Sequence, residues 1–189
     1  MAGRLIVFEG TDGSGKSTQF ALARQALEAA GRDFRTFVYP QYQEESSALL
    51  RMYLSGQFGT HPSDVNAYAA STFFAVDRYA GYKRFWGAYY ERGGLMVLDR
   101  YTTSNAVHQS SKLTPPEREK FFRWLADFEY GILGLPAPDL VLWLDMPTSL
   151  AVANLRHREQ ETHTTGDIHE VDEAYLTACR QAAAQAADF

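Results

Sequence analysis

Four short runs along the chain are largely apolar and do not alternate: Leu5-Ile6-Val7-Phe8, Thr36-Phe37-Val38-Tyr39, Leu95-Met96-Val97-Leu98 and Leu140-Val141-Leu142-Trp143-Leu144. Runs of this kind predict strands covered on both faces. The segments between them carry apolar residues at helical spacing. A helix is predicted from about Lys16, with Phe20, Leu22, Ala23, Ala26 and Leu27 on it and Gly31 as its stop. Ser46 to Ser55 predicts a second helix, with Leu49, Leu50, Tyr53 and Leu54 on one side, followed by a loop containing Gly56, Gly59 and Pro62. Asn66 to about Arg92 predicts a long helical region that ends at Gly93-Gly94. Thr114 with Glu117 three residues on is a capping box, and it predicts a helix to about Ile132. Pro147 marks another helix start, Glu159 to Ile168 is polar and predicts a mobile loop, and a last helix is predicted over about Asp172 to Ala187.

Strands separated by helices predict an α/β fold: one parallel sheet with helices on both faces. In such folds ligands bind beyond the carboxyl ends of the strands. That rim would hold the segment after Phe8, Pro40 to Tyr42, the pair Asp99-Arg100, and Asp145.

The chemistry is concentrated after the first strand. Gly10-Thr11-Asp12-Gly13-Ser14-Gly15-Lys16-Ser17 fits G-x-x-x-x-G-K-[ST], the phosphate-binding P-loop. Its backbone N–H groups and the following helix start cradle an anion. Lys16 would reach the transferring phosphates of ATP, and the Ser17 hydroxyl would ligate Mg²⁺. Thr18 completes the stretch. Asp99, closing a strand on the same rim, is the expected acidic partner of that Mg²⁺, and Arg100 beside it can grip a phosphate bidentately. Phe74 and Arg78 stand at i and i+4 and share a helix face. They fit a ring-and-guanidinium site for a planar base, or, on spacing alone, a core aromatic with a surface arginine. Arg156 and Arg158 lead into the polar loop, either as a closing lid (about 156–168) or as solvated charge. His157, His163 and His169 recur every six residues, which matches no zinc-ligand spacing.

Bulk properties narrow the class. The 189 residues predict a single domain. A net charge of −5 with no basic run disfavours a nucleic-acid partner. No apolar run is long enough to span a bilayer. The single cysteine cannot form an intrachain disulfide, which fits the cytoplasm. A GTP-dependent switch is disfavoured because no N-K-x-D stretch follows. A non-catalytic nucleotide-binding scaffold is disfavoured by the intact Lys16, Ser17, Asp99 and Arg100 set.

On these residues the chain resembles the thymidylate kinases, a branch of the nucleoside monophosphate kinases. FEGTDGSGKSTQ (8–19), FFAVDRY (73–79), DRYTTSN (99–105) and LGLPAPDLVLWLD (133–145) are similar to that family's motifs. The resemblance implies phosphorylation of dTMP to dTDP with ATP and Mg²⁺; another nucleotide or deoxynucleoside kinase is the alternative. It implies that Phe74 stacks on thymine, that Arg78 bonds a thymine carbonyl, and that Asn105 lies near the ring imide. It implies further that Arg100 holds the dTMP phosphate, Tyr42 contacts it, Asp12 meets the sugar 3′-hydroxyl, and Glu9 is an acid near the sugar. Arg156 and Arg158 match lid arginines. A five-stranded sheet and a homodimer are the family's usual form. The chain departs from the family at Gln41, where an arginine is common, at Asn154, where a lid arginine is common, and at His108, where many members have tyrosine near the sugar. The family's final strand and helix are expected to be missing after Phe189.

Overall fold

The computed structural model describes residues 2–162 and 173–189. Strands β1 (Arg4–Gly10), β2 (Arg35–Val38), β3 (Leu95–Asp99) and β4 (Leu140–Leu144) form one sheet in the order β2-β3-β1-β4, with every pairing parallel. The resemblance implied five strands; the described residues form four.

Alternation along β1 explains why its sequence is apolar throughout. Leu5 and Val7 face a cluster with Met96, Leu98, Tyr39, Trp86 and Tyr101. Ile6 and Phe8 face the opposite layer, where α1 (Lys16–Ala29) supplies Phe20, Ala23 and Leu27. Both faces are thus removed from water, and the hydrophobic effect holds β1 at the sheet's centre.

The remaining elements are α2 (Ala48–Leu54), α3 (Ala67–Gly81), α4 (Gly87–Glu91), α5 (Thr103–His108), α6 (Pro115–Ala126), α7 (Thr148–Thr162) and α8 (Glu173–Asp188). A short 3₁₀ turn over Glu45–Ser47 precedes α2. The long region expected over Asn66 to Arg92 is α3, then a wider π-helical stretch over Tyr82–Trp86, then α4. A second π-helical stretch, Asp127–Ile132, continues α6. The capping box at Thr114 forms as the sequence indicated: the Thr114 N–H donates to Glu117 Oε2 at 2.9 Å.

Two expectations change. The polar loop expected from Glu159 is helical as far as Thr162, because Glu, Gln and Arg are good helix formers even where no apolar face calls for a helix. Its remainder, with His163 and His169, lies outside the described residues. The stretch after Arg100, to which no element was assigned, folds as α5 and a 3₁₀ turn over Ser110–Lys112. Among the described residues no helix is long and apolar enough to cross a membrane.

Candidate active site

The register pairs Phe8 with Asp99 across β1 and β3, so the loops leaving these strands emerge side by side. The chain after β1 then turns on two glycines with left-handed backbones, Gly13 (φ 79°) and Gly15 (φ 81°). At Gly13 a Cβ would stand 2.2 Å from the carbonyl oxygen of Ala151, so only glycine lets α7 approach the loop. Gly15 caps α1 without any side-chain hydrogen bond, leaving the first N–H groups of that helix for an anion. Ser14 Oγ is buried with no hydrogen-bond partner among the described residues. Thr11 to Thr18 line one cleft with Asn154, Leu155 and Arg158 of α7. Arg156, about 200° round the helix from Arg158, is exposed and does not line it.

Lys16 reaches back across the cleft floor and donates to Asp99 Oδ1; both side chains are over nine-tenths buried. Burial lowers the Lys16 pKa, and the nearby Arg100 guanidinium lowers it further. The Ser17 side chain is exposed at the cleft edge.

A second pocket opens on the far side of Asp12. It is lined by Tyr42, Phe74, Arg78, Arg100, Asn105 and His108, with Gln109 and Tyr39 among others. It is open at the mouth and combines an aromatic ring with a few converging polar groups, a lining that suits a small molecule. Phe74 is half-buried and braced edge-on by Tyr53, with ring centroids 6.2 Å apart. Arg78 is not the surface arginine of the simpler reading: it is 2 % exposed, because Glu129 takes it in a two-pronged pair at 2.6 Å on each prong. Tyr39 donates to the Arg78 carbonyl at 3.0 Å and itself accepts from the Trp86 indole at 2.9 Å, which ties this helix to the core.

Arg100 lines the second pocket and pairs with Asp12, the residue that lines both. Its backbone takes the left-handed conformation (φ 66°), uncommon outside glycine and held here by its N–H donating to the Phe8 carbonyl at 3.0 Å. The guanidinium donates to Asp12 Oδ1 at 2.5 Å and to the Gly10 carbonyl at 3.2 Å. Its pKa is raised: burial opposes the charge, but Asp12 and Glu9 outweigh burial. Glu9 lies beneath Arg100, 3.8 Å away, and does not line the second pocket. Its Oε1 accepts from the Tyr101 N–H, the Thr103 hydroxyl and the Ser104 hydroxyl, which fixes the start of α5. Asp145 is committed elsewhere, to Arg180 of α8 at 2.6 and 2.9 Å.

His108 lies 3.1 Å from Arg100 through Nε2. A guanidinium only donates, so Nε2 accepts and Nδ1 carries the proton, 3.6 Å from Cys179 Sγ. Burial, and then Arg100, push the imidazole down to about 4. The folded protein therefore binds fewer protons here than the unfolded chain. Stability from the neutral ring is complete above about pH 6.5 and falls as pH drops towards 4. The wild type is expected to lose about 2 kcal/mol more than His108→Gln between pH 7.5 and pH 5, read by urea denaturation. Parallel pH profiles would contradict a buried neutral imidazole.

Gln109 and Glu129 belong to no motif in the sequence. Gln109 is 1 % exposed, lines the second pocket and leaves Oε1 without a partner among the described residues.

A family model described as Thymidylate kinase matches residues 8–188. The thymidylate kinase of Mycobacterium tuberculosis (strain ATCC 25618 / H37Rv) is 35% identical over 158 residues, covering 82% of this chain and 72% of that protein. That of Bifidobacterium longum (strain NCC 2705) is 31% identical over 169 residues, covering 88% and 78%. A solved thymidylate kinase structure from Candida albicans superposes with a TM-score of 0.65 at 21% identity, covering 97% of this chain and 77% of that one, and shows the same fold. With the P-loop cleft and the second pocket sharing Asp12, these matches place the chain in the thymidylate kinase family, ATP:dTMP phosphotransferases.

Proposed function

We propose that the P-loop cleft is the ATP site, that the second pocket is the dTMP site, and that the reaction is ATP + dTMP → ADP + dTDP. The observation that carries this assignment is the position of Asp12, which lines both pockets and pairs with Arg100 between them. A donor phosphate in one and an acceptor phosphate in the other would meet there. The attacking oxygen belongs to an ionised phosphate, so alignment and charge neutralisation suffice and no strong base is needed.

Phe74 would stack on the base, with Arg78 and Asn105 at its edge. Arg100 would turn one prong from Asp12 to the dTMP phosphate, with Tyr42, 47 % exposed at the pocket mouth, as a further contact. Asp12 would then be released to the sugar 3′-hydroxyl, and His108 would border the sugar. Glu9 acts through Arg100 and α5 and not by direct contact. Gly10 to Thr18 would wrap the ATP phosphates, with Lys16 leaving Asp99 to bridge them. Arg158 faces that cleft and is the better placed of the two lid arginines; Arg156 would need a change in α7 to reach it.

The Ser17 hydroxyl at the cleft edge and the Asp99 carboxylate, buried against Lys16 beside it, are hard oxygen donors of the kind that fit Mg²⁺. Among the described residues no cluster of three His, Cys, Asp or Glu side chains is set to hold a metal; substrate phosphates would supply the remaining ligands. When bound, Mg²⁺ would neutralise charge on those phosphates.

A homodimer is supported by Val76 and Tyr79, one turn apart on α3 and 53 % and 40 % exposed. A cytoplasmic location is supported by the single, buried, free Cys179.

The test is ADP release from ATP and Mg²⁺ with dTMP, dUMP, dCMP, UMP, AMP, GMP or thymidine as acceptor. dTMP is expected to be preferred. A clear preference for another acceptor would overturn the base assignment, and the dUMP-to-UMP ratio, which isolates the 2′-hydroxyl, reports how well His108 guards the sugar.

A further inference from the structure

We propose that Glu129, which touches no ligand, decides which pyrimidine the second pocket accepts. It does so by fixing the Asn105 amide and the Arg78 fork. The inference rests on the reading of that pocket as the dTMP site.

Glu129 lies in the π-helical stretch that continues α6 and is wholly buried. Its Oε2 accepts from Arg78 Nε at 2.6 Å, and its Oε1 accepts from Arg78 Nη2 at 2.6 Å and from Asn105 Nδ2 at 3.1 Å. The other hydrogen of Asn105 Nδ2 goes to the Ser71 carbonyl, also at 3.1 Å. An ionised carboxylate and a backbone carbonyl can only accept. The Asn105 nitrogen is therefore held between two acceptors, and the orientation of the amide follows from the chemistry of its neighbours. Both amide hydrogens are spent inward, which leaves Oδ1, an acceptor, as the atom that can meet a base in the pocket that Asn105 lines.

Arg78 is constrained by the same carboxylate. Nε and Nη2 are committed to Glu129, while Nη1 makes only a long contact, 3.5 Å, with the Tyr101 carbonyl. Arg78 thus offers the pocket a donor. One acceptor beside one donor matches the edge of thymine or uracil, where N3–H donates and O4 accepts. It opposes cytosine, where N3 accepts and the exocyclic amine donates. Glu129 is a positioning residue: its acceptor-only chemistry sets the polarity of the edge that two other residues present.

Glu129→Gln keeps the shape of the side chain but replaces one acceptor oxygen with a donor. Beside Asn105 that amine can donate to Oδ1, so the Asn105 amide keeps only the Ser71 carbonyl to hold its orientation and turns over in part of the population, showing its nitrogen to the pocket. The readout is kcat/KM for dTMP and for dCMP at saturating ATP, in the wild type, Glu129→Gln and Glu129→Asp. The wild type is expected to favour dTMP. In Glu129→Gln the dTMP-to-dCMP ratio is expected to fall about tenfold or more, with KM for ATP unchanged. Glu129→Asp retains two acceptors and is expected to keep the ratio within about threefold of wild type, even if both rates drop.

A Glu129→Gln enzyme in which both substrates lose equally, with the ratio intact, would show that Glu129 only supports the fold, and the proposal would fall. If that variant does not fold, Asn105→Ala decides: a dTMP-to-dCMP ratio that falls by about tenfold supports the acceptor that Glu129 fixes at the pocket, and an unchanged ratio overturns the proposal. A wild type that favours dCMP would instead overturn the base assignment of the pocket.

Discussion

Lys16→Met is expected to lower turnover by on the order of 10³-fold or more, as read by ADP release at saturating dTMP and ATP. The size of the effect follows from where the ammonium sits. It is nine-tenths buried at the floor of the P-loop cleft, where a charge acts on a phosphate through little water. The loss should appear mainly in kcat, because the backbone N–H groups of the loop still hold ATP in the ground state. A second effect separates chemistry from folding. Lys16 is the partner of Asp99, and methionine leaves that buried carboxylate without its cation. Because the Arg100 guanidinium lies nearby and still attracts Asp99, the expected cost is about 1–3 kcal/mol of stability, less than for an isolated pair. Adding Asp99→Asn should restore most of that stability and none of the turnover. A Lys16→Met enzyme within about tenfold of wild-type turnover would remove the P-loop from the mechanism.

The parts of this site that sequence reveals are those whose chemistry is local. The P-loop is legible because glycine spacing, lysine and the flanking strand and helix lie within a dozen or so residues, and the structure turns on Gly13 and Gly15 as that spacing requires. The central strands are legible because burial on both faces erases alternation. Residues that matter through a distant partner are not legible. Arg78 reads as a surface arginine until Glu129, 51 positions away, is seen to take it inward. Glu129 belongs to no motif, and it acts from behind the pocket, in the π-helical stretch over Asp127–Ile132, through Arg78 and Asn105. Arg100 and Asp12 meet across 88 positions. α5 escaped notice for another reason: its six residues are too few for a period to register, and it is held in place by Glu9 and by packing against α8.

Arg78→Met is expected to cost about 3–5 kcal/mol of folding stability, the largest single loss predicted for this chain. The cause is the partner left behind. The Glu129 side chain is 0 % exposed and the Arg78 side chain 3 %, so no solvent replaces the guanidinium. Among the described residues the carboxylate would keep only the Asn105 amide as a hydrogen-bond donor. Burial opposes the charge on Arg78, but the attraction of Glu129 outweighs it and the pKa stays raised, so each ion depends on the other. The double variant Arg78→Met with Glu129→Leu removes both charges and is expected to recover to within about 1 kcal/mol of wild type, since an apolar pair can replace a buried ion pair. Urea denaturation measures both. Stability and function then part company. The double variant should fold yet bind dTMP at least about tenfold more weakly by calorimetry, because the donor facing the base is gone, while ATP binding stays near wild type. A single variant that loses under about 1 kcal/mol would mean that water reaches Glu129. A double variant that binds dTMP as tightly as wild type would show that Arg78 holds the fold and does not read the base.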